Sequence, residues 1–133
     1  MAGLRKILIV EDNMMIRDLY RIALVEKQYT VEVATDANEA YQKLKNYHPD
    51  CVLLDIMLPG ISGLEILQEL RKNPAHGCAF AKIVILTNLA QRSATESAIA
   101  NGADGYIIKS DILPRDLPSV IESLEEDTDG ELP

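Results

Sequence analysis

Cysteine is scarce in this chain, basic residues are outnumbered, and no long apolar run occurs. Cys51 and Cys78 are the only cysteines, too few and too dispersed for a disulfide framework or a zinc site. Cys51 falls in an apolar run and is expected as a buried thiol. Cys78 falls in a loop and is expected as a surface thiol, both in a reducing cytoplasm. Lys and Arg number 13 against 21 Asp and Glu, a net charge of −8. That sign repels phosphate backbones, so no direct nucleic-acid partner is expected. No apolar stretch reaches the roughly 20 residues of a membrane helix. The opening "MAGLRKILIV" lacks a signal-peptide cleavage pattern, which leaves a cytoplasmic protein without a membrane partner as the expectation. What is present, 47% apolar and 26% charged residues in a chain of 133, suits one globular domain with a real core.

Five short runs rich in β-branched residues recur: "KILIV" (6–10), "TVEVA" (30–34), "CVLLD" (51–55), "IVILT" (83–87) and "GYIIK" (105–109). Four are nearly continuous apolar runs, the pattern of strands covered on both faces, while "TVEVA" alternates as a strand nearer the sheet edge does. Helical spacing fills the gaps. Ile16, Leu19, Tyr20 and Ala23 share one face, as do Ala37, Ala40, Tyr41 and Leu44. Leu64, Ile66, Leu67 and Leu70 mark the third helix, Ala94, Ala98 and Ile99 the fourth, and Val120, Ile121 and Leu124 the fifth. This strict alternation predicts an α/β fold, a doubly wound five-stranded parallel sheet with helices on both faces. Ser62 with Glu65 reads as a capping box and Gly102 as a helix C-cap. Pro118 opposes a last helix starting at Pro114, because an interior proline loses a hydrogen bond and clashes. A loop or 3₁₀ turn over 110–115 and a helix capped near Asp116 are expected instead. The domain is expected over 1–125, with 126–133 an acidic, fraying tail.

In open α/β sheets, ligands bind outside the carboxyl ends of the strands. There the first strand ends in Glu11-Asp12, the third in Asp55, the fourth in Thr87 and the fifth in Lys109, while Thr35 or Asp36 after the second is more simply a cap. Each residue alone reads as a cap, a loop residue or a surface lysine. Jointly, three adjacent carboxylates repel one another unless a cation or raised pKa values compensate. All-oxygen ligands favour a hard cation, and Mg²⁺ suits a site that receives a phosphoryl group. His48 and His76 fall away from the strand ends, which opposes a His-containing metal site. A carboxylate can itself become an acyl phosphate, so Asp55, ending a rigid strand, is the candidate nucleophile. Lys109 and the Thr87 hydroxyl would hold the transferring oxygens.

With these motifs the sequence resembles a response-regulator receiver domain of two-component signalling. "ILIVEDN", "VLLDIMLPGISGLE", "VILTN" and "GADGYIIK" carry the resemblance over residues 5 to about 125. It implies a flavodoxin-like strand order 2-1-3-4-5. It also implies phosphoryl transfer to Asp55 from a sensor histidine kinase or a histidine phosphotransfer protein. Asp12, Asp55 and the Met57 carbonyl would ligate Mg²⁺, with Glu11 helping. Tyr106 would turn inward as Thr87 moves toward the phosphoryl group, and a downstream protein target would bind around helix four, strand five and helix five. Such a module is a signalling switch, not an enzyme acting on others. Met57 and Leu89 would flank the hydrolytic water, and both are apolar, which implies slow self-dephosphorylation. Two positions depart from the family pattern: Ser110 follows Lys109 where proline is common, and Asn88 follows Thr87 where a very small residue is usual.

The run after helix five is too short for an output domain, so a stand-alone regulator or a receiver cut from a larger protein is expected, Met1 favouring an authentic start. A receiver-like binding module that is never phosphorylated is the alternative, opposed by the complete acid, Thr and Lys set. A flavodoxin would meet repulsion between its phosphate and Glu11-Asp12. An Asp-nucleophile phosphatase usually carries a second acid where Met57 stands.

Overall fold

A computed structural model describes residues 5–88 and 92–126, the side chains of 125 and 126 excepted. Strands β1 (Lys6–Val10), β2 (Thr30–Ala34), β3 (Cys51–Asp55), β4 (Lys82–Thr87) and β5 (Gly105–Ile108) alternate with helices. The helices are α1 (Met14–Glu26), α2 (Ala37–Leu44), α3 (Gly63–Lys72), α4 (Arg92–Ala100) and α5 (Leu117–Glu126). The strands form one sheet, all neighbours parallel, in the order β2-β1-β3-β4-β5. That is the doubly wound arrangement and order expected, with "TVEVA" at an edge.

Alternation along each strand sends residues to two cores. Ile7, Ile9, Cys51, Leu53, Val84 and Leu86 pack with Tyr20 and Leu24 of α1 and Leu117, Ile121 and Leu124 of α5. Leu8, Val10, Val52, Leu54, Ile83 and Ile85 pack on the other face with α2, α3 and Ala98 of α4. Central strand β3 is buried at every residue, as its unbroken apolar run requires. Cys51 and Cys78 belong to opposite cores and both are fully buried, so Cys78 is not the surface thiol expected of a loop residue.

Two helices bury a face rotated from the sequence pattern. In α1 the buried residues are Tyr20, Ala23 and Leu24, leaving Leu19 45% exposed. In α4 they are Thr95 and Ala98, leaving Ile99 43% exposed. Successive residues lie about 100° apart around a helix, so residues at the margin of an apolar stripe are sorted only by what the helix packs against.

The capping reading holds locally. Ser62 and Glu65 form a reciprocal capping box at α3, and Asp36 caps α2 by accepting from the Glu39 amide. Gly102 takes φ +104° after α4, a conformation that side chains disfavour. Past β5, 3₁₀ turns at Lys109–Asp111 and Pro114–Asp116 precede α5, which starts at Leu117 with Pro118 in its first turn. Asp116 does not cap that helix with its side chain; Oδ2 accepts from the Leu113 amide at 3.0 Å. Strand β5 ends at Ile108, one residue before the expected limit, so Lys109 enters a turn. No cis peptide occurs among the described residues, so Lys109–Ser110 is trans. The tail from 127 and Leu89 lie outside the described residues.

Candidate functional site

Strand register assembles the site. Val10 pairs with Leu54, so Glu11 arrives level with Asp55. Asp55 pairs with Leu86, so Thr87 lies one residue further out, and Thr87 pairs with Ile108, so Lys109 lies one further again. The carboxyl ends thus form a stepped edge carrying acid, acid, hydroxyl and ammonium in turn.

Glu11, Asp12, Asn13, Ile16, Asp55, Met57, Asn88, Lys109 and Ser110 line an open cleft of about 450 Å³. Lys109 Nζ lies 2.8 Å from Glu11 Oε1 and 3.2 Å from Asp55 Oδ2. The Met57 amide donates to Asp55 Oδ1 at 3.0 Å and the Asn13 amide to Glu11 Oε2 at 3.0 Å. Arg17 Nη1 donates to the Glu11 carbonyl at 3.3 Å, tying the β1–α1 turn to α1. Glu11 and Asp55 are buried and Asp12 is exposed at the mouth.

Burial pushes the Asp55 carboxyl up to about 6; the nearby Glu11 acts in the same direction, against the Met57 amide and Lys109, which favour the ionised form. Burial would lower the Lys109 ammonium, but its hydrogen bond to Glu11 and the charge of Asp55 outweigh that and raise it. One carboxylate oxygen from each of Glu11, Asp12 and Asp55 lies within 4.8 Å of the others. This all-oxygen set, with more negative charge than Lys109 neutralises, fits a hard divalent cation such as Mg²⁺.

Thr87 and Tyr106 lie in an adjoining cavity of about 490 Å³, shared with Asn88, Arg92, Thr95, Glu96, Ile99 and Ile108. The Thr87 hydroxyl is buried and donates to the Asn88 carbonyl at 3.1 Å, and the Tyr106 side chain is half exposed. The site residues read from the sequence therefore fall into two adjacent groups: Glu11, Asp12, Asp55, Met57 and Lys109 around the cleft, Thr87 and Tyr106 beside it.

Three contributors escaped the sequence reading. Asn13 Oδ1 accepts from the Ile16 amide and caps α1 directly behind the acidic pair; its position before a helix was the available signal. Gly63 opens α3 against the backbone of Asp55 and Ile56, and a methyl group there would overlap the Asp55 carbonyl oxygen. Thr95, a polar residue on the buried face of α4, contacts Thr87 and had no periodic signal at all.

A doubly wound parallel sheet with three acids, a hydroxyl and a lysine at its strand ends defines a receiver module. The chain belongs to the response regulator receiver domain family, whose model matches residues 7–122. It is similar to the chemotaxis protein CheY of Halobacterium salinarum, 32% identical over 122 residues that make up 92% of this chain and 95% of that relative. It is 36% identical over 104 residues to the two-component response regulator PhoP of Pseudomonas aeruginosa, 78% of this chain and 44% of PhoP. A CheY-like receiver domain protein from Methanospirillum hungatei has a TM-score of 0.80 at 32% identity, covering 96% of this chain and 98% of the other. The chain spans about half the length of several curated relatives, such as the transcriptional regulatory protein ResD of Bacillus subtilis at 47%. Among the described residues, no helix is long and apolar enough to cross a membrane.

Proposed function

We propose that this chain is a phospho-accepting switch in which Asp55 takes a phosphoryl group from a phosphohistidine on a sensor kinase or phosphotransfer protein. An Asp55 oxygen attacks phosphorus, the bond from phosphorus to the imidazole nitrogen breaks, and an acyl phosphate forms as the imidazole leaves. The Met57 amide holds Oδ1 at 3.0 Å, which fixes the carboxylate and leaves Oδ2 as the attacking atom beside Lys109. Lys109 then follows the transferred oxygens and offsets their charge. Glu11, Asp12, Asp55 and the Met57 carbonyl would hold Mg²⁺, which supplies charge neutralisation on the transferring group when bound.

The observation that carries this reading is a buried carboxylate, itself ionisable near neutrality, held between a backbone amide and a lysine at the floor of an acidic cleft. Thr87 would turn toward the phosphoryl group and Tyr106 would follow into the adjoining cavity, altering the α4–β5–α5 face for a protein target. The acidic balance of the chain opposes nucleic acid as a direct partner of this domain. Incubation with acetyl phosphate and Mg²⁺ should add one phosphate to the wild type and none to Asp55→Asn, read by intact mass. Equal labelling of the variant would overturn the role of Asp55, and no labelling of the wild type by any phosphodonor would favour a constitutive binding module.

A further inference from the structure

Thr95 stands where the packing of α4 calls for an apolar side chain. Its neighbour along the buried stripe is Ala98, and it is only 7% exposed. Its hydroxyl does not point to solvent: Thr95 Oγ1 donates to Thr87 Oγ1 across 3.4 Å, and Thr87 in turn donates to the Asn88 carbonyl at 3.1 Å. Both hydroxyls line the same cavity as Tyr106. The chain of bonds runs from α4 through Thr87 to the loop backbone.

We propose that Thr95 is a positioning residue that restrains Thr87 in its unphosphorylated place and so sets how readily the domain switches. This rests on the reading of Thr87 as the group that moves toward the phosphoryl oxygens. To make that movement, Thr87 must break its bond with the Thr95 hydroxyl, and breaking a buried hydrogen bond is unfavourable. The restraint therefore weighs against the switched state alone, and a ligand that needs Thr87 must overcome it. Thr95 bears on the cleft through its contact with Thr87, the residue next out from Asp55 in the strand register.

The test uses beryllofluoride as the phosphoryl mimic, with Mg²⁺, on the full chain of wild type, Thr95→Val and Thr95→Ser. Bound beryllofluoride is titrated by fluorine NMR, and Mg²⁺ affinity is measured separately without fluoride. The valine variant keeps the shape and removes the hydroxyl, so it should bind beryllofluoride roughly three- to tenfold more tightly, the effect of one modest hydrogen bond. Its Mg²⁺ affinity should be unchanged, and the serine variant should return to the wild-type value. Equal or weaker beryllofluoride binding by Thr95→Val would overturn the restraint, as would tighter binding shared by Thr95→Ser. Should the valine variant fail to fold, a serine variant that departs from wild type in beryllofluoride affinity would overturn it equally. Absence of beryllofluoride binding in the wild type would instead overturn the phospho-acceptor reading on which the restraint rests.

Discussion

The two ends of the sheet handle carboxylates in opposite ways: half-buried at the amino end, and at the carboxyl end two of them buried. At the amino end, Asp50 Oδ2 accepts from the Arg5 and Lys6 amides, and Asp104 Oδ2 accepts from the Ile83 amide at 2.8 Å and from Arg71 Nη2 at 2.7 Å. Arg71 completes the fastening with Nε on the Gly102 carbonyl and Nη1 on the carbonyls of Cys78, Ala79 and Ala81. Each acid there substitutes for a strand partner and answers backbone donors that would otherwise go unmet. At the carboxyl end, Glu11 and Asp55 share one ammonium, with Asp12 exposed beside them. Three carboxylates against one lysine leave charge uncompensated, and the carboxyl group of Asp55 is raised as a result of burial and that crowding. The comparison separates acids engaged by backbone donors and Arg71 from acids left short of countercharge. The first are met by donors of the chain itself; the second carry more negative charge than Lys109 offsets, which suits a cation.

The largest effect should come from unfastening the amino end. Arg71→Ala removes five hydrogen bonds, taking the countercharge from Asp104 and a donor from each of four carbonyls. A loss of about 3–4 kcal/mol is expected, read as a lower urea midpoint with unchanged slope. If the ends are as distinct as the geometry indicates, the folded variant should still bind Mg²⁺ as wild type does. A matching loss of Mg²⁺ affinity would break the comparison.

Asp55→Asn should act in the other direction. The native carboxyl near 6 lies above the ordinary 3.8, so the folded state retains its proton to higher pH than the unfolded chain. The stabilisation from that proton is full below about pH 3.8 and is lost as pH rises through 6. In chelator-treated protein at pH 8, Asp55→Asn should therefore be more stable than wild type by about 2 kcal/mol, the advantage fading toward pH 4. Urea titrations at the two pH values check this, and a variant less stable than wild type at pH 8 would refute it.

The smallest effect sharpens the view of the amino end as closed. Burial pushes the Cys78 thiol up to about 11, against the opposing charge of Arg71. A disulfide reagent at pH 8 should leave both thiols of the native protein essentially unreacted and titrate both after denaturation. Rapid modification of Cys78 in the folded wild type would show that this end opens.

Much of the fold was legible in the sequence because its signals are local. Five β-branched runs separated by helical spacing specify a parallel doubly wound sheet, and the residues at or just past the ends of those runs name Asp55, Thr87 and the acidic pair. The late start of α5 followed from the chemistry of Pro118, while the Asp116 side-chain cap expected with it did not form. Apart from the missing Asp116 cap and the one-residue shift at the end of β5, the departures concern which side of a boundary faces inward. Leu19 and Ile99 sit at the margins of their helical stripes and turn outward, while Cys78, in an irregular loop, is drawn under α3 by carbonyl contacts to Arg71.

The sequence by itself determined the order of elements, the family and the residues that end the strands, since propensity, periodicity and capping act over a few neighbouring positions. Only the tertiary structure decided the register that levels Glu11 with Asp55 and steps Thr87 and Lys109 outward from them. It alone brought Arg71 to Asp104, 33 residues away, and Thr95 to Thr87 across the gap between helix and sheet. Contacts of that kind depend on how twisted strands and packed helices meet in space, and no local pattern along the chain encodes that meeting.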